Sequence, residues 1–340
     1  MRRNLTSLAA LAAILLLATA PGGTQPADIL TIKVGALVSD SAGEIFYADE
    51  LGMFKRAGLD VQISAFSSGG AISAGVVAGA FDIGSAGSAV VAQAHLRGLP
   101  LYLIAPAGIY SSKSPTTSLV VPPGSPLRGP KDLAGKTVAV STLRDLPQVS
   151  AMAWIDAGGG DSTKTSFIEM HMAEMLPAVQ SGRVDAVLLA EPFLSQARGS
   201  VRVLGTTYDA VAKQFMVIGW ISMQSWLEKN PVAAARFVAV MRQAGAWANA
   251  NPQAAATIMA KRLELSEDLA KTMHHARYAP ALSAELIQPI LDASARYHTL
   301  PRTFPASELF YPGLRCPSIR TNAIRHGCVE RLLQAWLVAR

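Results

Sequence analysis

Two turns made of residues almost without side chains carry the clearest chemical signal in the sequence: Ser67-Ser68-Gly69-Gly70 and Gly84-Ser85-Ala86-Gly87-Ser88. Each stands where a strand-like run gives way to a helix-like one. The unpaired N–H groups of a first helical turn and the helix dipole then make a seat for a small anion. Tight packing of helix on sheet is the competing use of so many small residues. Nucleotide phosphate is not supported. A phosphate loop needs Gly-Lys-Ser/Thr at its end, and Val76-Val77 follow Gly75. The dinucleotide fingerprint needs G-x-G-x-x-G, a register that Gly84 and Gly87 do not provide.

Other residue types invite chemistry and supply less of it. There is no G-x-S-x-G elbow and no evident Ser/His/Asp set for acyl transfer. Met170-His171-Met172 with Met175 has the softness of a Cu(I) tract, but methionine is also a common filler of gaps in a core. His274 and His275 are neighbours on a helix-like segment and point to different faces, so they do not share a metal. No cofactor or metal is expected.

The elements that must position the two turns alternate along the chain. Ile29–Leu37, Leu59–Phe66, Phe81–Ser85 and Leu101–Ala107 read as strands, with helices predicted over Ile45–Ala57, from Gly70 to about Ala80, and over Ser88–Arg97. A punctuated segment, SSKSPTT through PPGSPLRGP, opens a second series with strands at Lys136–Val140, Phe167–Met170, Ala186–Leu189 and Val201–Leu204. Phe215–Ser222 reads as a buried strand, and helices follow from Pro231 and Pro252. The expected fold class is therefore α/β: two lobes, each a mainly parallel sheet covered by helices, the second inserted within the first. The expected boundaries are residues 28–120 and 209–314 for the first lobe and 121–208 for the second. Two crossings create a cleft, and ligands favour such clefts near the carboxyl ends of parallel strands.

The ends differ from the body. Residues 1–27 begin Met1-Arg2-Arg3, continue through an apolar run and reach Ala18-Thr19-Ala20, the pattern of a cleaved secretory signal. Of 30 basic and 24 acidic residues, Arg2, Arg3, five tail arginines and Glu330 lie at the ends, leaving 23 of each sign between. A neutral body argues against nucleic acid as a partner. The tail, residues 315–340, holds both cysteines, Cys316 and Cys328, which could pair in an oxidising compartment.

The runs YADELGMFKRAGLDVQI, SSGG, GAFDIGSAGSA, PGSPLRGPKDLAGKTVAVS and LPAVQSGRVDAVLLAEPF, in that order, resemble the type II periplasmic solute-binding proteins of the nitrate/sulfonate/taurine class, which are also similar to the thiamine-pyrimidine precursor family. The resemblance implies a monomeric, non-enzymatic periplasmic receptor whose lobes close on a small organic anion or zwitterion. It also implies delivery to an ABC permease and its ATPase. It points to ligand contacts at Ser39, Asp40, Ser41 and Ala42, at Ser67, Ser68 and Gly69, and at Ala86, Gly87 and Ser88 in one lobe. In the other lobe it points to Ser141, Thr142, Arg144 and Glu191. Asp40 and Arg144 would give the cleft a formal acid and a formal base, which suits a zwitterion. A lyase or dehydratase of the same fold, or an extracytoplasmic sensor module, are the alternatives.

Overall fold

Strands form where aliphatic and β-branched residues run together. A computed structural model describes residues 29–66 and 69–314. The expected signal, Ser67, Ser68 and the tail with its cysteines lie outside the described residues. The strands are β1 (Leu30–Leu37), β2 (Leu59–Phe66), β3 (Ile83–Gly87), β4 (Leu101–Pro106), β5 (Gly108–Ser111), β6 (Thr117–Val121), β7 (Thr137–Val140), β8 (Ser166–Glu169), β9 (Ala186–Ala190), β10 (Arg202–Gly205), β11 (Gln214–Met216), β12 (Ile218–Met223) and β13 (Arg277–Tyr278).

One five-stranded sheet has the order β2-β1-β3-β12-β4 and the other β10-β6-β9-β7-β8. The two orders are equivalent when β1 is matched with β7 and β12 with β6. In each sheet four strands share a direction and one opposes them, β12 in the first and β6 in the second. The opposing strands are the ones that arrive directly from the other lobe, so they enter their sheet from its far end. Helices flank both sheets, and the result is the two-lobed α/β fold the sequence led us to expect. Because β6 begins at Thr117, the second sheet starts ahead of the boundary expected at residue 121.

The crossings lie side by side. β11 pairs antiparallel with β5, and β13 pairs with β5 on its other edge, which makes a three-stranded ribbon between the lobes. The first lobe's core is built on Trp220, whose ring meets Phe237 edge-on at 5.6 Å, with Phe46, Met241 and Ile32 around it. Each fully buried side chain of this size contributes roughly 1.5–3 kcal/mol. The single helix expected over Ile45–Ala57 is two, Glu44–Glu50 and Met53–Arg56, because Gly52 takes a φ of 65° between them. Pro231 and Pro252 open their helices as expected, where a missing N–H is harmless.

Packing accounts for part of the small-residue run. A methyl group on Gly84 would stand 2.6 Å from Ile72 Cγ2, and one on Gly75 would stand 2.6 Å from the Phe81 ring. Gly69, by contrast, has open space beside it.

Candidate functional site

The segments that leave the carboxyl ends of β1, β3, β7 and β9 converge on a cavity of about 520 Å³ between the lobes. That volume suits a small organic solute.

The first-lobe wall is made of short side chains and backbone: Ser39, Ser41, Gly69, Ser85, Ala86 and Gly87. The Ser39 hydroxyl is buried and has no hydrogen-bond partner among the described residues. Ser85 Oγ accepts the Leu37 N–H at 2.9 Å, which ties β3 to the end of β1 and fixes the oxygen at the cavity wall. Asp40 touches the cavity, but its carboxylate is committed elsewhere. It faces His275 Nδ1 at 3.0 Å and accepts the Ala276 N–H, while its carbonyl accepts the Tyr278 hydroxyl. Burial by itself would lower the His275 imidazole, but the Asp40 carboxylate and the Ala270 carbonyl more than offset it and hold the ring above its ordinary value. Asp40 thus ties the loop after β1 to the segment before β13, and the expectation that it brings a free acid to the cleft is corrected. Ala42 is buried in the core, and Ser88 opens the helix Ser88–Leu96 with its hydroxyl buried and without a partner among the described residues; neither lines the cavity.

The second-lobe wall has Ser141 and Thr142, as expected, and two carboxylates. Glu191 is almost wholly buried, with Oε2 accepting the Ser195 N–H at 3.0 Å and Oε1 the Ser195 hydroxyl at 2.9 Å. Oε1 also receives the His274 N–H at 3.4 Å, a contact from one lobe's return segment to the other. Burial pushes the Glu191 carboxyl up, and its Ser195 and His274 partners pull it back.

Arg144 does not line the cavity, and the formal base expected in the cleft is corrected. Its φ of 59° is left-handed, its N–H donates to Gln148 Oε1 at 2.7 Å and its carbonyl accepts from Gln93 Nε2 at 2.9 Å. That turn sends the Arg144 side chain to solvent and brings the next residue, Asp145, inward. Asp145 caps the helix Leu146–Ala157, its Oδ1 accepting the Leu146 N–H at 2.7 Å. A methyl group added at Gly87 would stand 2.9 Å from its Oδ2, so the glycine is what lets the two walls approach. Burial pushes the Asp145 carboxyl up, with the Leu146 N–H opposing.

Sequence reading missed Asp145 and the turn Arg262–Leu265, which closes one side of the cavity. The first had a readable signal: an Asp directly before Leu146-Pro147 is a helix N-cap with proline in the first turn. The second had none, because the fold alone brings that distant turn to the cleft. Arg262 is no free cation either; its Nη2 lies 3.3 Å from Asp49 and its guanidinium 4.7 Å over the Phe46 ring. Met170 and Met175 are buried together in the second lobe's core.

The family described as NMT1/THI5 like matches residues 40–255. Among solved structures, the periplasmic aliphatic sulphonate binding protein of Escherichia coli is 20% identical, with 84% of this chain and 98% of that one covered and a TM-score of 0.65. The alkanesulfonate-binding protein of Xanthomonas axonopodis pv. citri, bound to MOPS, is 17% identical over 84% and 99%, with a TM-score of 0.68. The periplasmic nitrate-binding protein of Synechocystis PCC 6803 is 17% identical over 82% and 84%, with a TM-score of 0.71. At these identities the likeness speaks to the fold. No curated protein matches the sequence.

Proposed function

The chain belongs to the NMT1/THI5-like family, and from that premise we propose that it is a periplasmic solute-binding protein that carries a small organic anion or zwitterion to the permease and ATPase of an ABC importer. The observation that carries this reading is the cavity between the sheets, lined from both lobes at the carboxyl ends of their strands and bridged by the two crossings. A solute seated there would touch Ser39, Gly69 and Gly87 on one side and Ser141, Thr142 and Glu191 on the other. Binding that prefers the closed arrangement shifts the population toward it, and closure is a change that a membrane partner can read. The sulfonates and nitrate for which the solved neighbours are named, together with the bare donors of the first wall, support an oxyanion on one end of the solute. The protein acts as a single copy and returns its solute chemically unchanged.

The test is a melting-point screen of the full-length protein against sulfonates, nitrate, amino acids and other small acids, followed by small-angle scattering with each hit. A true solute at a hundred times its Kd raises stability by about 2.7 kcal/mol and reduces the radius of gyration. A hit that leaves the scattering profile unchanged removes lobe closure from the proposal, and a hit recovered chemically altered replaces the receptor with an enzyme.

A further inference from the structure

We infer that the solute carries an amine, and that Asp145 is the residue that reads it; this rests on the solute-binding reading above. The carboxylates that line the cavity are Asp40, Asp145, Glu191 and Glu264. Asp40 is satisfied by His275 and Ala276, and Glu191 by Ser195. The lining guanidinium, Arg262, is held by Asp49 and Phe46. Glu264 stands exposed on the turn Arg262–Leu265, where water can serve it, and Asp145 differs from all of these. Its Oδ1 takes one N–H from its own helix, and its Oδ2 makes no hydrogen bond among the described residues while standing against Gly87 of the opposite wall.

Among the described residues no cation contributes to the surroundings of Asp145, a half-buried residue that lines the cavity together with Leu146, Pro147 and Tyr208. A carboxylate with an open oxygen in a desolvated cleft is costly until a donor arrives. A protonated amine supplies the charge and the donors together. The first wall offers neutral dipoles opposite, so one solute with an acidic group at the Ser39–Gly69 side and an ammonium at Asp145 uses both. A bare oxyanion would leave Asp145 unmatched and add a like charge to a cleft that already holds four acids.

The experiment uses pairs of compounds that differ only in amine against hydroxyl: taurine with isethionate, and β-alanine with 3-hydroxypropionate. A broad library of small metabolites of every charge class accompanies them. Calorimetry is performed on the full-length protein and on Asp145→Asn, which keeps the N-cap acceptor and so is expected to melt within a few degrees of the parent. We expect hits to be amine-bearing, to bind at least tenfold tighter than their hydroxyl partners, and to lose about tenfold to a hundredfold in Asp145→Asn. Hits without an amine, a hydroxyl partner that binds as well or better, or an amine preference that survives Asp145→Asn would each overturn the inference while leaving the receptor intact. If no compound of any class binds, it is the receptor reading that fails.

Discussion

Asp40 and Asp145 occupy comparable places, each just beyond the first strand of its lobe's equivalent sheet order, and each touches the same cavity. Their fates are opposite. Asp40 is almost wholly buried and turned toward the lobe's own interior, where three groups of the segment 275–278 close around its side chain and carbonyl. Among the described residues, Asp145 keeps one oxygen uncommitted against the cleft. Residue type and position therefore do not decide whether an acid belongs to the scaffold or to the ligand; the polar groups delivered by remote segments do. The first wall spends Asp40 on holding itself together and presents neutral groups from its strand ends, whereas the second wall presents the open oxygen of Asp145.

The sharpest test of how the first lobe uses its acids is Glu44, which is buried in that lobe and does not line the cavity. It is fully enclosed, with Oε1 accepting the Trp220 indole N–H at 2.7 Å and Oε2 without a partner among the described residues. Burial pushes its carboxyl up to about 8, against 4.5 in the unfolded chain, with the Trp220 bond opposing and the Asp40 charge assisting. The native state thus keeps the proton where the unfolded state has released it. This contribution to stability is fully present below about pH 4.5 and is lost as the pH rises through about 8, a fall of roughly 3–5 kcal/mol at about 1.4 kcal/mol per tenfold change in proton affinity. Glu44→Gln should remove that slope. Urea unfolding of both proteins at intervals from pH 5 to 8.5 checks it, and parallel slopes would show that Glu44 is ionised or hydrated in place.

Next in size is the pair itself. Asp40→Ala leaves His275 and the Ala276 N–H without their acceptor, and should cost about 2–4 kcal/mol. Asp145→Ala gives up a single bond to the adjacent residue and should cost about 1 kcal/mol or less. Equal losses in denaturant titrations would break the comparison at its root.

Much of the scaffold was legible in the sequence because it depends on local pattern: the strand at Leu59–Phe66 and the helices opened by Pro231 and Pro252 stand where hydrophobic runs and proline placed them. The loops Ser39–Ser41 and Ser141–Thr142 line the cleft because strand ends do so in this architecture. What was not legible depends on partners far away. Nothing near Asp40 announces that residues 275–278 will enclose it, and nothing near Arg144 distinguishes an outward arginine from an inward one except its left-handed φ, a property of the folded chain. The antiparallel β6 and β12 were hidden for the same reason, since strand direction is a property of the route and not of the residues.

A smaller effect should come from the hinge. A methyl group on Gly108, the first residue of β5, would stand 2.6 Å from both the Cα and the carbonyl oxygen of Ser41. Backbone cannot yield cheaply, so Gly108→Ala should move the Ser39–Ala42 loop, cost about 1–3 kcal/mol and weaken solute binding. Unchanged affinity would mean that the first wall is more pliant than its network of bonds implies.

The smallest change tests the second wall's orientation. Arg144 holds a left-handed backbone, a conformation that costs a residue with a Cβ on the order of 1 kcal/mol and glycine nothing. Its side chain is exposed, and its bonds to Gln93 and Gln148 use only the backbone. Arg144→Gly should therefore raise stability by up to about 0.5 kcal/mol, once the looser unfolded chain is set against the relieved strain. Arg144→Ala should leave solute affinity within about twofold, as a surface substitution does. A tenfold loss in Arg144→Ala would mean that the guanidinium reaches the solute as the lobes close, and would return to the second wall the base that its partner Asp145 now lacks.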